Sequence, residues 1–545
     1  MASSKFSKRD WLVRLCLAIA GGFASSLAMP REGIWPLIFV SVAALVISVR
    51  GLSLSRSLLI GMVGGLSFYL SQIEWLSLYL GPVPWLALSV LEASIFALGM
   101  VAISVTWSAL ERRYGQETFA QILAAAAIAS IWSAREWVSI NLPYGGFPWS
   151  RLAQTQSESP LANWVSLNGL SGLTFVVGFI GALFALFLNS VAKSSRTPEA
   201  LRFRTFTLTL VLVLFAIPTF ALRPSATPEA GTLTVAAVQG NANAGLFANP
   251  DRGSILNNHL SATKLIQDSP LAKKIEVVVW PENASDLSPF LDAQADRKIR
   301  GTTDSLGVPL IFGAITVRGD EIFNSSIFWQ PQTGPTDWYD KKKPVPFAEY
   351  VPDRDFWYQL APDLIGLISR GYTFGERDGI FELGAKKLGV LICFEIAVDD
   401  IGRELVNSGA QVILSQTNNA DFGRSDETYQ QAALAKLRAI ETGRTVVNVS
   451  TVGITAIYLP DGKTLSQLAA FEPGALVNEV PLRTSKTLAT LFAGPLELAN
   501  NFIALALAIF GVGSALRRRR MSSTSLGQGE TDSAVASQDA DGARQ

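Results

Sequence analysis

Apolar positions follow two regimes along this chain. Through about residue 230, and again near the far end, they gather into unbroken runs at residues 11–29, 33–49, 57–70, 85–110, 119–140, 161–188, 206–222 and 498–516. A helix needs about 20 apolar residues to cross a bilayer, so these runs predict a membrane protein with a bundle of about eight transmembrane helices. From Leu233 the pattern changes. Short apolar stretches at 233–239, 275–280, 309–312, 325–329, 388–393, 412–416, 446–450 and 455–459 alternate with polar, helix-like stretches at 250–267, 398–407 and 427–442. Strands separated by helices predict one α/β domain with buried sheets. The expected division is a bundle over 1–230 with about seven spans, the α/β domain over 231–485, and a linker with the last span over 486–520. A Ser-, Gly-, Asp- and Gln-rich tail over 521–545 is predicted to be disordered.

Composition agrees with a membrane protein. Of 545 residues 49% are hydrophobic and only 17% charged. Formal net charge is zero, but its distribution orients the chain. Lys5, Lys8 and Arg9 precede the first run. Arg50 and Arg56, then Arg112 and Arg113, then Lys193, Arg196, Arg202 and Arg204 occupy alternate loops, and Arg517 to Arg520 follow the last run. The opposite loops hold little beyond Arg31 and Arg151. The positive-inside rule then predicts cytoplasmic termini and an extracytoplasmic α/β domain. The first run, although preceded by basic residues, lacks a clear small-residue cleavage site and is read as a retained helix.

A few polar residues interrupt the runs. Glu92 lies in the fourth, and Arg135 and Glu136 near the outer end of the fifth, where either an internal ion pair or a function would explain them. The outer loop 141–149 is rich in Gly, Pro and aromatic residues, suiting an ordered segment at headgroup depth. The one histidine, His259, leaves no basis for a Cys-His or Ser-His pair or a His-rich metal site. No nucleotide or metal motif occurs, and neither a cofactor nor a nucleic-acid partner is expected.

Three strand ends remain as candidate chemistry. The strand at 275–280 runs into Pro281, which cannot continue a ladder, and presents Glu282. Lys341, Lys342 and Lys343 follow Tyr339-Asp340. The strand at 388–393 ends on Cys393, flanked by Phe394 and Glu395. Each feature alone has a plain structural reading: a turn acid, a solvated basic loop, a small core thiol. Glu, Lys and Cys at strand ends in that order, however, resemble the nitrilase superfamily over about residues 233–480. That likeness implies an αββα sandwich and a catalytic triad, which by motif position falls on Glu282, Lys341 and Cys393.

Further segments narrow the likeness to the membrane-embedded apolipoprotein N-acyltransferase family. Gly146-Phe147-Pro148-Trp149 is similar to that family's outer loop. Val345-Pro346-Phe347-Ala348-Glu349 resembles its VPFGE segment, Cys393-Phe394-Glu395-Ile396 its CYEI, and Val452-Gly453-Ile454-Thr455 its NGI[ST] turn. Two departures stand where loops should cover a substrate. Asp421 replaces a tryptophan, and only Phe247 is found where a lid tryptophan is usual. The resemblance implies supporting roles for Glu349, Phe394 and Glu395, and substrate contacts for Phe147, Trp149, Phe347 and Tyr350. Phe356, Trp357 and Tyr358 are candidates for a lipid-facing rim.

The implied reaction uses a phospholipid as acyl donor and a diacylglyceryl apolipoprotein as acceptor, in a bacterial cell membrane. A free thiol, with a pKa near ~8.5, is mostly protonated at neutral pH. Lys341 should favour its thiolate and Glu282 should take the proton. Attack on the ester leaves a thioester, which an amine then opens in a ping-pong scheme. A membrane-tethered amidase would use the same triad, and a transporter with an outer ligand-binding domain is the other reading. Oligomeric state is not legible in these residues.

Overall fold

The computed structural model describes residues 7–115, 117–192, 197–245, 248–249, 251–368 and 371–542, apart from the side chains of residues 80 and 519–542. Lys5, Lys193, Arg196 and Phe247 lie outside the described residues, as do the side chains of Arg519 and Arg520. The apolar runs form the helices Lys8–Ala28, Leu37–Val49, Leu54–Gln72, Pro82–Tyr114, Thr118–Asn141, Val165–Ala192, Pro198–Phe220 and Leu488–Gly542. Among the described residues, six helical segments are long and apolar enough to cross a membrane. The two other helices fall short for visible reasons. Leu37–Val49 has 13 residues, about 20 Å of helix, because the chain turns at 33–36. Thr118–Asn141 carries buried Arg135 and Glu136. Val165–Ala192 is broken at Gly169, whose φ of 70° suits glycine. The last helix runs Leu488–Gly542; no proline falls after Pro495 to stop it.

The remainder is a pair of six-stranded sheets. The strands are β1 Thr232–Gln239, β2 Val277–Val279, β3 Leu310–Arg318, β4 Glu321–Gln330, β5 Gly334–Asp340, β6 Ile380–Leu383, β7 Lys386–Ile392, β8 Val412–Thr417, β9 Val446–Ser450, β10 Ala456–Tyr458, β11 Thr464–Gln467 and β12 Gly474–Pro481. One sheet has the order β12-β1-β2-β3-β4-β5 and the other β11-β10-β9-β8-β7-β6. The central strands β1, β2 and β3 are parallel, as are β7, β8 and β9. Alternate residues explain the layering. Val235 and Ala237 of β1 share one core with Val390 and Ile392 of β7, between the sheets. Ala236 and Val238 pack outward on Leu256, Ala262 and Ile299, from the helices Ser254–Thr263 and Ala293–Leu306. On the far side, Leu391 and Ile413 meet the helices Asp399–Asn407 and Glu427–Thr442. The result is an αββα sandwich. Sequence patterning missed β5, β6, β11 and β12, which lie at the sheet edges, and the largely polar Ala293–Leu306 helix.

The outer apolar face of the second sheet is continuous with the bundle core, and a buried ion network crosses the joint. Arg151 Nε lies 3.2 Å from Glu136 of the bundle and its Nη1 2.8 Å from Asp399 of the sandwich. Arg438 pairs with the same Asp399 at 3.1 Å and with Glu441. Burial alone would raise the Asp399 carboxyl; Arg151 and Arg438 overrule it and hold it well below its usual range. Asp399→Ala would remove the carboxylate that Arg151 and Arg438 share out of water, leaving each with one acid partner, at a cost of roughly 3–5 kcal/mol. Asp337→Ala, which removes the half-exposed partner of Arg377, should cost about 0–1 kcal/mol. Melting of the detergent-purified chain checks the contrast, and equal midpoints for the two variants would contradict it.

Candidate active site

Strand β7 delivers the thiol. It ends at Ile392, and Cys393 opens a one-turn helix, Cys393–Ala397, with φ at +51°. A non-glycine residue in that region is strained and must be held by its surroundings. Glu395 does the holding. One carboxylate oxygen accepts from Ile392 N–H at 2.8 Å, and the other accepts from the Tyr339 hydroxyl at 2.8 Å and from Lys342 N–H at 2.7 Å. Glu395 therefore ties the thiol's turn to the segment that follows β5. Its role is to position the turn and the lysine loop, and it has no contact with the sulfur among these hydrogen bonds.

Lys341 is the first residue after β5. Its N–H donates to the Asn324 carbonyl at 2.9 Å, and its own carbonyl accepts from Gly375 N–H at 2.9 Å. A Cβ on Gly375 would lie 1.9 Å from the Asp340 oxygen, so only glycine fits beside this lysine. The ammonium is 1% exposed. It stands 2.8 Å from Glu349 and 3.4 Å from Glu282. Asn324 Nδ2 donates to both carboxylates, at 2.7 Å to Glu282 and 2.9 Å to Glu349. Glu282 follows the end of β2, and Gly313 of β3 makes room for it: a Cβ there would sit 2.6 Å from the Glu282 Cα.

The Cys393 thiol lies within electrostatic reach of both the Glu282 carboxyl and the Lys341 ammonium. The structure thus brings Glu282, Lys341 and Cys393 together, with Glu349 on the lysine. Burial, and then the Glu282 charge, pushes the Cys393 thiol up, against the pull of Lys341. Burial also pushes Glu282 up. For Lys341, burial would lower the ammonium, but Glu349 and Glu282 outweigh it and hold it well above its ordinary value. The thiol and Glu282 therefore compete for one proton beside a fixed positive charge, which is what a nucleophile paired with a general base requires.

The aromatic residues divide. Trp149 is 4% exposed, stacks on Phe394 with centroids 6.5 Å apart, and donates to Gln430 at 2.7 Å. It packs at the seam between bundle and sandwich, with Phe147 stacked on it at 6.3 Å. Phe347 meets Trp357 and Tyr144, and Tyr350 meets Phe374; this second group lies along the Glu349 side. Phe356 and Tyr358 are 57% and 49% exposed, as an apolar rim would be. Asn324, Asn419, Glu427 and Gln431 were not singled out from the sequence, although each is buried at the site. The available signal was a polar residue in a stretch that must be buried, Asn324 within β4 above all.

An αββα sandwich with Glu, Lys and Cys at its strand ends, mounted on an apolar helical bundle, defines a membrane-bound protein of the carbon–nitrogen hydrolase class. Comparison with known proteins agrees. Residues 21–183 match the apolipoprotein N-acyltransferase N-terminal domain, and residues 234–490 the carbon–nitrogen hydrolase domain. An apolipoprotein N-acyltransferase of Mycolicibacterium smegmatis is 32% identical over 96% of this chain and 90% of its own length. One from Pseudomonas syringae is 28% identical over 85% and 90%. Among solved structures, an amidase from Nesterenkonia is 18% identical, covering 51% of this chain and 99% of that one, with a TM-score of 0.37. The chain belongs to the apolipoprotein N-acyltransferase family.

Burial pushes the Glu427 carboxyl from 4.5 up to about 8, and the Glu282 charge adds to the rise. A carboxyl raised on folding stabilises the fold while it is protonated. That contribution is complete below about pH 4.5 and is lost as pH rises through about 8. Glu427→Gln stays neutral throughout, so its melting midpoint relative to wild type should climb between about pH 5 and 8. A pH-independent difference would refute this.

Proposed function

We propose that this acyltransferase moves a fatty acyl chain from a membrane phospholipid, through a thioester on Cys393, to the α-amino group of the N-terminal diacylglyceryl-cysteine of an apolipoprotein. Family membership supports the reaction class, and the adjacency of Glu282, Lys341 and the Cys393 thiol at the bundle's edge carries the assignment of residues. Glu282 takes the thiol proton, and the sulfur attacks the ester carbonyl. Lys341 and a backbone N–H near Phe394 hold the oxyanion. The C–O bond breaks, and Glu282 returns the proton to the departing lysophospholipid. In the second half the amine forms the amide bond, the C–S bond breaks, and the amine's proton passes through Glu282 back to the sulfur. Glu349 keeps Lys341 charged, and Glu395 fixes the turn that aims the thiol.

A thioester survives only where water is excluded. The walls formed by Trp149 and Phe394 suit that need, and Phe147, Phe347 and Tyr350 are assigned to the acyl chains. The same reading takes all eight bundle helices as membrane segments, Leu37–Val49 and Thr118–Asn141 included. It places both termini in the cytoplasm and the sandwich, residues 231–485, outside the inner membrane, as the basic loops favour. The bundle then occupies 1–230 and the last span 486–520.

Purified protein given phospholipid should carry an acyl adduct on Cys393 that hydroxylamine removes, read by mass spectrometry. Cys393→Ala should carry none, and Glu282→Gln should form it at least about 100-fold more slowly. Amide hydrolysis without an adduct would instead favour an amidase. A cysteine placed at Gly319, in the β3–β4 turn, should react with an impermeant reagent from outside the membrane; labelling only from the cytoplasm would overturn the orientation.

A further inference from the structure

A buried amide stands against the sulfur. Gln431, on the Glu427–Thr442 helix, is 1% exposed, and its Nε2 lies 3.5 Å from Cys393 Sγ. The direction in which this amide points is set by its neighbours. Asn419 Nδ2 donates to Gln431 Oε1 at 2.7 Å and to Glu427 Oε2 at 2.7 Å. Asn419 is itself fixed, because its Oδ1 accepts from Ser450 Oγ at 2.5 Å and from Thr417 Oγ1 at 3.2 Å. With Oε1 occupied as an acceptor, Gln431 presents its NH2 group to the thiol. Gly453 lets the network close: a Cβ there would lie 2.1 Å from Thr428 Oγ1 and 2.5 Å from Asn419 Oδ1.

We propose that Gln431 is a further catalytic residue, donating a hydrogen bond to the Cys393 sulfur, and that Asn419 is the positioning residue that aims it. The inference rests on Cys393 being the nucleophile. A thiol or thioester sulfur accepts weakly, whereas a thiolate accepts strongly. The bond is therefore strongest when the sulfur is charged, before attack and again when thiolate leaves the tetrahedral intermediate in the second half-reaction. No atom is transferred to or from Gln431. The thiol proton goes to Glu282, and Gln431 offsets the charge left behind. Glu427 shares the Asn419 donor with Gln431, and burial pushes its carboxyl up to about 8, towards the neutral form.

The test uses the full chain in detergent with Cys16, which is exposed, changed to Ser, so that Cys393 is the one thiol. Iodoacetamide alkylation at neutral pH should be roughly tenfold slower in Gln431→Met, which keeps length and loses the donor. It should be slower again in Gln431→Glu, which keeps shape but turns a carboxylate towards the sulfur. Decay of preformed acyl-enzyme with an amine acceptor should slow in the same order. Alkylation of Gln431→Met at the wild-type rate, or a Met variant slower than the Glu variant, would overturn the proposal, since packing alone favours the isosteric Glu. If Gln431→Met fails to fold, Gln431→Glu against wild type decides. Wild type that takes up no acyl group on Cys393 would fault the nucleophile assignment, whereas normal acylation with unaffected Gln431 variants would fault only this inference.

Discussion

An ammonium held out of water between two carboxylates is the constraint on which the rest of this site depends. Removing Lys341 from solvent costs several kcal/mol, and only close, well-oriented partners recover it. Glu282 and Glu349 supply the charge, and Asn324 binds both and so sets their spacing. Three strand ends must therefore meet to within a fraction of an ångström. That requirement explains why Gly313 and Gly375 sit where any side chain would push backbone apart, and why Glu395 spends its hydrogen bonds on main-chain and tyrosine donors instead of substrate. The charge count follows as well. In the proposed reaction, passing a proton from the Cys393 sulfur to the Glu282 carboxyl leaves the net charge of the cluster unchanged. The proton transfer needs little rearrangement from a rigid, low-dielectric site.

The second constraint is the joint between sandwich and bundle. The Glu427–Thr442 helix is buried almost throughout, because one side lies on the β8–β9 sheet and the other on the bundle. A helix covered all round would ordinarily be apolar. This one carries Gln430, Gln431, Arg438 and Glu441, of which Gln430 bonds the bundle directly and Arg438 is linked to it through Asp399. Gln430 accepts from Trp75 and Trp149 and donates to the Gln72 carbonyl, while Arg438 reaches Asp399 and through it Arg151. The polar residues thus register the two parts against each other, which greasy contact alone does not do. Trp149 and Phe394, stacked at the seam, inherit their position from that registry.

Legibility in the sequence tracks these physical roles. The bundle and the central strands were readable because each depends on a run of like residues: all eight helices and all eight predicted strands have counterparts in the structure. Edge strands were not. In β5, Gly334–Asp340, tryptophan and tyrosine sit among Gly, Pro, Thr and Asp, and the strand exists because β4 offers it a ladder. The Ala293–Leu306 helix needs only Ala295, Ile299 and Thr303 against the sheet, too few apolar positions to register. Glu282, Lys341 and Cys393 stood out by position and by likeness to a family. Asn419 and Gln431 did not, because an asparagine in a loop and a glutamine on a polar helix are ordinary until burial is known. Trp149 was read for its chemistry, whereas its burial makes it part of the seam.

Joint and charge cluster bear on one another through the sulfur. Cys393 receives Lys341 and Glu282 from strand ends of the first sheet, and Gln431 from the helix that the bundle covers. Its surroundings are therefore complete only when the sandwich is seated. An isolated sandwich would expose the Glu427–Thr442 helix, solvate Gln430 and Gln431, and open the sulfur to water on the side that Trp149 closes. In the proposed reaction water at that point is the competing acyl acceptor, present at far higher concentration than any lipoprotein amine. A rigid seam that keeps it out does more for transfer than further tightening of the Glu282–Lys341–Cys393 geometry could, because hydrolysis and aminolysis share that geometry and differ in which nucleophile is allowed to reach it.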